Sequence, residues 1–319
     1  MTAAALLADV LLLLVAVVWG SGFVAQRLGM DHVGPLTFTA ARFAVGTLVL
    51  LPIVLRRTRN VSAARATPVP DDVCGQGFPA ETVFSRWRRG VFAGGAVWRG
   101  GIVLGLVLFA GAALQQIGLV STTAGQAGFI TGLYVIFVPL IGLALGQRAG
   151  WLIWLGAALA IAGLYLLSVT ASLAMEIGNA FVLACAVVWA VHVVLVGRFS
   201  PRTDPIRLAA IQFLTAAALA TVTGLVFERP TAADVWAARG AILYSGVVAV
   251  GAGYTLQVVA QQHAPAAHAA ILLSLEAVFA AVFGGLFLAE TLTGRQVFGG
   301  ALMLGGVVVS QLHTARRPA

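Results

Sequence analysis

The chain has 319 residues, of which 60% are hydrophobic and 9% charged, with a mean hydropathy of +0.99 and a formal net charge of +8. A soluble domain carries about 25% charged residues, so these proportions exclude a soluble domain, a disordered chain and a disulfide scaffold. All 19 basic residues are Arg. They gather between apolar blocks rather than in one patch, which excludes nucleic acid as a partner and leaves a protein that crosses a lipid bilayer many times.

A helix needs about 20 apolar residues to cross a hydrocarbon core about 30 Å thick. Ten blocks satisfy this, over 8–26, 35–55, 99–119, 124–145, 150–168, 178–198, 206–227, 240–262, 267–289 and 296–314. The expected fold is therefore an all-α integral membrane protein of ten transmembrane helices. The first block is not expected to be a cleaved signal peptide, because it lacks a basic leader and carries Asp9. Residues 56–98 are polar, Arg-rich and interrupted by Pro68, Pro70 and Pro79. They read as a loop without a fold of its own, able to meet anionic lipid through its Arg residues. Cys74 in this stretch and Cys185 in the sixth block give no disulfide framework and no metal spacing. Thr293 to Gln296 reads as a capping box opening the tenth helix.

With the amino terminus inside, the inner segments carry 14 Arg and the outer ones 4, with Arg42 left inside a span. The positive-inside rule then predicts that both termini are cytoplasmic and that the chain is a multi-pass protein of the cytoplasmic membrane.

The sequence also matches itself. Ala16-Val17-Val18-Trp19 recurs as Ala186-Val187-Val188-Trp189, an offset of 170 that also pairs Pro35 with Pro205, Phe43 with Phe213 and Arg42 with Gln212. Beyond residue 98 the offset becomes 142, pairing Gln115 with Gln257, Leu133 with Leu275 and Phe137 with Phe279. The change falls inside 56–98, which then reads as an insertion. Two halves are expected, 1–168 and 169–319, each of five helices. Five is odd, so the second half enters the membrane inverted, the arrangement of secondary transporters that bind substrate near the midplane between halves.

Ionisable groups inside a span cost roughly 2.5–3.5 kcal/mol on insertion scales and mark candidate sites. Arg42 lies about six residues inside the second span. It is a candidate anion anchor, against a structural Arg that snorkels or binds backbone carbonyls. Glu276 lies deeper in the ninth span and is the candidate proton-coupling group, against a packing role. Tyr134 occupies its repeat position. Trp19 and Trp189 are mid-span rather than interfacial and fit an aromatic cavity wall or helix packing. Gln115 and Gln257 are repeat mates that fit substrate contacts or helix ties. His192 reads as hydrogen-bonded structure, and His263 and His268 as residues at a loop edge that form no metal site. Gly101/Gly105, Gly142/Gly146 and Gly246/Gly251/Gly253 read as close helix contacts.

The residues Val18-Trp19-Gly20-Ser21-Gly22-Phe23, Pro35 with Arg42-Phe43, and the run Leu114-Gln115-Gln116-Ile117-Gly118-Leu119 through Thr122 to Tyr134 resemble a known pattern. So do Leu275-Glu276-Ala277-Val278-Phe279-Ala280 and Leu288-Ala289-Glu290-Thr291-Leu292-Thr293. The chain resembles a ten-helix EamA-type member of the drug/metabolite transporter superfamily over nearly its whole length except 56–98. It departs at Ala277, where the family often has Pro, and at Gln147, where it often has an acidic residue. The resemblance implies export of amino acids or small metabolites, and a structural contact for Glu290.

Together these readings predict a secondary exporter working by alternating access, driven by protons through Glu276, with no cofactor. The substrate site is expected at Trp19, Arg42, Gln115, Tyr134, Trp189, Gln257 and Glu276. Two alternatives compete. An integral-membrane lipid-modifying enzyme needs clustered carboxylates or a nucleophile with its base, whereas the 11 acidic residues are scattered. A nucleotide-sugar or phosphate-ester antiporter needs several cations in the cavity, whereas Arg42 stands alone within a span.

Overall fold

The computed structural model describes residues 3–66, 81–122, 124–147, 150–168, 177–288 and 293–315. Among these there is no strand. The helices are α1 (Ala3–Met30), α2 (Pro35–Ala66), α3 (Glu81–Ser121), α4 (Ala124–Gly132), α5 (Tyr134–Ala144), α6 (Trp151–Ser168), α7 (Ile177–Phe199) and α8 (Pro205–Phe227). Two short helices follow, α9 (Ala232–Ala237) and α10 (Arg239–Tyr244), and then a π-helical stretch (Ser245–Tyr254). The chain ends with α11 (Thr255–Ala260), α12 (Ala266–Leu273), α13 (Glu276–Leu288) and α14 (Gly294–Ala315).

All ten apolar blocks are helical, and seven helices are long and apolar enough to cross a membrane. The fourth and fifth blocks give shorter apolar helices, Ile130–Ala144 and Trp151–Leu166. Long apolar side chains such as Leu48, Leu106, Val222 and Leu286 lie exposed, as expected of a surface solvated by lipid rather than water.

Four stretches differ from the sequence expectation. Residues 56–98 are not one loop, because α2 runs on to Ala66 and α3 begins at Glu81. Ala and Arg are strong helix formers, and a helix already nucleated in a span extends at one hydrogen bond per residue. Pro68, Pro70, Cys74 and Pro79 lie outside the described residues, as does Glu290. The fourth and ninth blocks are each broken, at Leu133 and at Ser274-Leu275. At both breaks the backbone tightens to i→i+3 bonds, Leu133 N–H to Ile130 O (3.2 Å) and Leu275 N–H to Leu272 O (3.2 Å). Leu133 and Leu275 are 142 residues apart, the offset at which the sequence matches itself. The eighth block is π-wound over ten residues, a geometry common at functional sites.

Local sequence explains several helix starts. Pro35 and Pro205 open α2 and α8, where a missing N–H costs nothing. The Asp204 carboxylate accepts from the N–H of Ile206 (2.9 Å) and Arg207 (3.1 Å), a side-chain cap. The α2 start is capped from outside its own segment. Glu228 accepts from the N–H of Leu36 (2.7 Å) and Thr37 (2.7 Å) and from the Thr37 hydroxyl (2.6 Å). Before α14, Thr293 and Gln296 form the expected reciprocal box, with Thr293 N–H to Gln296 Oε1 at 2.9 Å and Gln296 N–H to Thr293 Oγ1 at 3.3 Å.

Helix pairing sets the bundle. The strongest contacts join α6 to α14, α2 to α8, α3 to both α7 and α8, and α1 to α13. Small residues let the backbones touch. A Cβ on Gly156 would lie 2.8 Å from Gly306 O, and one on Gly306 would lie 2.6 Å from Gly156 O. On α3, Gly101 and Gly105 meet α8, and a Cβ on Gly105 would lie 2.8 Å from Gln212 O. Gly246 and Gly251 face α2, while Gly253 backs onto the Trp19 ring. The expected Gly142/Gly146 contact is not one between helices. Gly142 faces Gln147, and Gly146 has φ +79° past the end of α5, a left-handed position that ends the helix.

Candidate functional site

On α1, Trp19, Gly22, Phe23 and Gln26 follow the i, i+3, i+4, i+7 spacing of one helix face. That face looks into a cavity at the centre of the bundle. The other walls come from Arg42 on α2, Gln115 on α3, Thr131 on α4 and Tyr134 at the start of α5. Trp189 and Val193 come from α7, Ala249, Val250 and Tyr254 from the π stretch, Gln257 from α11 and Glu276 from α13. All seven residues expected to form one site therefore line one cavity. Tyr134 and Glu276 each stand immediately after a helix break, and both line this cavity.

The cavity is small, about 40 Å³ as traced by the centre of a water molecule. One water needs about 10–15 Å³ by that measure, so a few waters fit and a substrate does not. Ligand pockets of drug size run to about 300–1,000 Å³.

An aromatic cluster forms one wall. Tyr254 lies 4.7 Å from Trp19 and 5.8 Å from Trp189 between ring centroids, stacked on the latter at 22°. Phe43, Phe213 and His192 surround the same ring at 6.1–6.2 Å. The Trp19 indole N–H donates to Ala249 O at 3.2 Å. That carbonyl belongs to the π stretch.

Arg42 is 3% exposed. Its Nη1 donates to Gln26 Oε1 at 2.9 Å, and its guanidinium lies 5.3 Å from the Phe43 ring centroid and 5.7 Å from that of Phe38. Two cation–π contacts hold a cation but leave its donors free, and Nε and Nη2 have no partner. Among the described residues no carboxylate pairs with it. A buried fork with two unpartnered donor nitrogens is matched to a planar anion. The Glu276 carboxyl is 4% exposed and lies beside the Tyr134 hydroxyl without meeting hydrogen-bond geometry. Gln115 donates to Thr131 Oγ1 at 3.4 Å, and Gln257 donates to Gln261 Oε1 at 3.2 Å while its own Oε1 stays unpartnered.

Other sequence expectations fall elsewhere. His192 is fully buried and bonded to Gln212 Oε1 at 3.0 Å, as a structural His should be. Cys185 is free and buried. His263 lies exposed in a turn, and His268 stands just past that turn but is buried. It sits on α12, 1% exposed, and bonds to Asp9 across the bundle. The helix begins two residues earlier and turns the side chain inward. Gln26 and Tyr254 were not singled out from sequence. Gln26 is legible from its spacing to Trp19. Tyr254 has Ala112 as its repeat mate, so self-comparison offers no signal for it.

The EamA-like transporter family profile matches residues 6–69 and 176–311, more than half of the chain. This chain belongs to the EamA-like transporter family. It is similar to an uncharacterized transporter of Archaeoglobus fulgidus, 29% identical over 97% of this chain and 87% of that protein. It is also similar to a probable terminal-alkyne amino-acid exporter of Streptantibioticus cattleyicolor, 27% identical over 96% of this chain and 94% of the relative. A protein of known crystal structure shares the fold, with a TM-score of 0.70 over 99% of each chain at 22% identity. Family and helices together make this EamA-family chain a multi-pass membrane transporter of small molecules.

Proposed function

We propose that the protein is a secondary-active exporter of amino acids or similar small carboxylate-bearing metabolites, working by alternating access in the cytoplasmic membrane with both termini inside. The observation that carries this reading is Arg42, a buried cation whose Nε and Nη2 donors stand unpaired in a cavity walled by aromatic rings. A carboxylate there makes charge-assisted hydrogen bonds, and Trp19, Trp189 and Tyr254 cover the apolar part of the substrate. The exporter relative supports the same class. One cation is too few for a nucleotide sugar or phosphate ester, and no group of three or more His, Cys, Asp or Glu suited to a metal occurs among the described residues.

Two inverted repeats, 1–168 and 169–319, supply the moving parts in this reading. The packing supports it. The first helix meets the π stretch and α11 of the eighth as α7 meets α3, and the second and seventh helices, like the fifth and tenth, pair with their own mates. The two halves rock about the cavity, and Glu276 carries the coupled proton.

The test is flux in proteoliposomes of the purified protein, with labelled amino acids and an imposed pH gradient. Gradient-driven accumulation in wild type is expected. Glu276→Gln is expected to lose that accumulation while keeping exchange of substrate for substrate. A Glu276→Gln protein that still accumulates substrate overturns the coupling role, and wild type that moves no carboxylate overturns the substrate class.

A further inference from the structure

The cavity also holds an unpaired polar atom of the opposite kind to the Arg42 donors. Gln257 is fully buried on α11 and lines the cavity, and its Oε1 has no partner among the described residues. A buried carbonyl without a partner is uncommon and calls for an explanation.

A backbone carbonyl decides which atom of this amide is free. Gln261 is 1% exposed, and its Nε2 donates to Val193 O at 3.0 Å. A carbonyl oxygen can only accept, so the nitrogen of Gln261 faces Val193 and its Oε1 faces Gln257. Gln257 must then donate to that oxygen through Nε2, at 3.2 Å. Its own Oε1 is left over. Turning either amide round sets oxygen against oxygen. Val193 lies on α7 and itself lines the cavity, so the chain from Val193 through Gln261 fastens the Gln257 amide in one orientation.

The cavity therefore offers two donor nitrogens from one wall and a fixed acceptor from another. The Arg42 guanidinium lies 5.3 Å from the Phe43 ring, and Phe43 lies 6.1 Å from Tyr254, three residues before Gln257. Both poles thus flank the same aromatic cluster. A plain carboxylate pairs with Arg42 but leaves Gln257 Oε1 buried and unsatisfied, which costs affinity. An α-amino acid carries an ammonium group on the carbon next to its carboxylate. It can satisfy both poles at once.

We infer that Gln257 selects α-amino acids over other carboxylates: its Oε1, held in place by Gln261 and the Val193 carbonyl, accepts from the α-ammonium group while Arg42 holds the carboxylate. That role rests on Arg42 binding a carboxylate as proposed above, and adds an acceptor for the substrate nitrogen. Gln261 touches Gln257 rather than substrate and is a positioning residue.

The test is calorimetric binding of three related compounds to the purified full chain: phenylalanine, 3-phenylpropionate, which lacks the amino group, and 2-phenylethylamine, which lacks the carboxylate. Wild type is expected to bind phenylalanine roughly ten- to a hundredfold more tightly than 3-phenylpropionate, the range of a hydrogen bond to a charged group. In Gln257→Met, of similar length without the amide, the ratio should fall toward one while 3-phenylpropionate keeps its affinity. Gln261→Leu, which frees the Gln257 amide to turn, should lower the ratio part of the way. Each ratio is taken within one preparation, so a smaller folded fraction does not alter it. An unchanged ratio in Gln257→Met overturns the proposal, as does an equal loss for both ligands, the mark of a merely structural glutamine. A ratio kept in Gln257→Met and lost in Glu276→Gln assigns the nitrogen to Glu276 and also overturns it. The amine separates the two readings. If 2-phenylethylamine binds wild type as tightly as phenylalanine and weakens in Gln257→Met, the carboxylate reading of Arg42 fails and the acceptor role of Gln257 stands. Binding of none of the three overturns both.

Discussion

Arg42 donates to Gln26 Oε1 at 2.9 Å and keeps Nε and Nη2 unpaired beside it. The glutamine holds one prong of the fork, so the other two donors are presented in a fixed direction. Arg42→Lys keeps the charge and loses the planar fork. A hydrogen bond to a charged group contributes about 1.5–3 kcal/mol, so carboxylate flux should fall roughly ten- to a hundredfold. Counterflow of a labelled amino acid measures it, and Gln26→Leu should move the same readout in the same direction.

Gly20 is where α1 crosses the cavity end of α13. A Cβ there would lie 2.6 Å from Phe279 Cβ and 2.8 Å from both Glu276 O and Ala280 N. Two of these neighbours are backbone and cannot swing aside. Gly20→Val should destabilise the protein by about 1–3 kcal/mol or more, as overpacking does. It should also displace Glu276, giving a lower melting temperature together with loss of pH-driven flux.

The proposed inversion places the link after α1 and the link after α7 on opposite sides of the membrane. His32 and Arg202 are both exposed in those links. In a Cys74→Ser background, His32→Cys should react with a membrane-impermeant reagent from outside and Arg202→Cys only from the cytoplasmic side. Labelling of both from one side removes the repeat architecture.

Outside the spans, Thr231 caps α9. Its hydroxyl and backbone N–H donate to Asp234 at 2.6 and 3.0 Å and hold that carboxyl below the usual carboxylate range. A lowered carboxylate stabilises the native cap above the ordinary carboxylate range, and the effect is lost as the medium is acidified through the lowered value. Thr231→Ala should raise the Asp234 titration toward its ordinary value, read by carbon-labelled aspartate spectroscopy.

Much of this site was legible because a bilayer makes polar residues conspicuous. Trp19, Arg42 and Glu276 stand out against apolar neighbours, and self-comparison added Gln115 with Gln257 and Tyr134 opposite Glu276. The same comparison placed Leu133 opposite Leu275 without revealing that both are breaks, since hydropathy is blind to hydrogen-bond register. The π winding of Ser245–Tyr254 is hidden for the same reason. Asp9 and His268 are 259 residues apart and near helix ends, where polarity is ordinary, so nothing in either local sequence announces their contact. The helical reach of 56–66 and 81–98 was masked by charge, which reports solvation rather than backbone conformation.

The small volume of the cavity has a volumetric consequence. A space that takes only a few waters has to swell severalfold before the proposed amino-acid substrate enters, so on that reading loading expands the molecule. Compression should then oppose binding, and substrate affinity should weaken under hydrostatic pressure even though no charge or hydrogen bond has been altered.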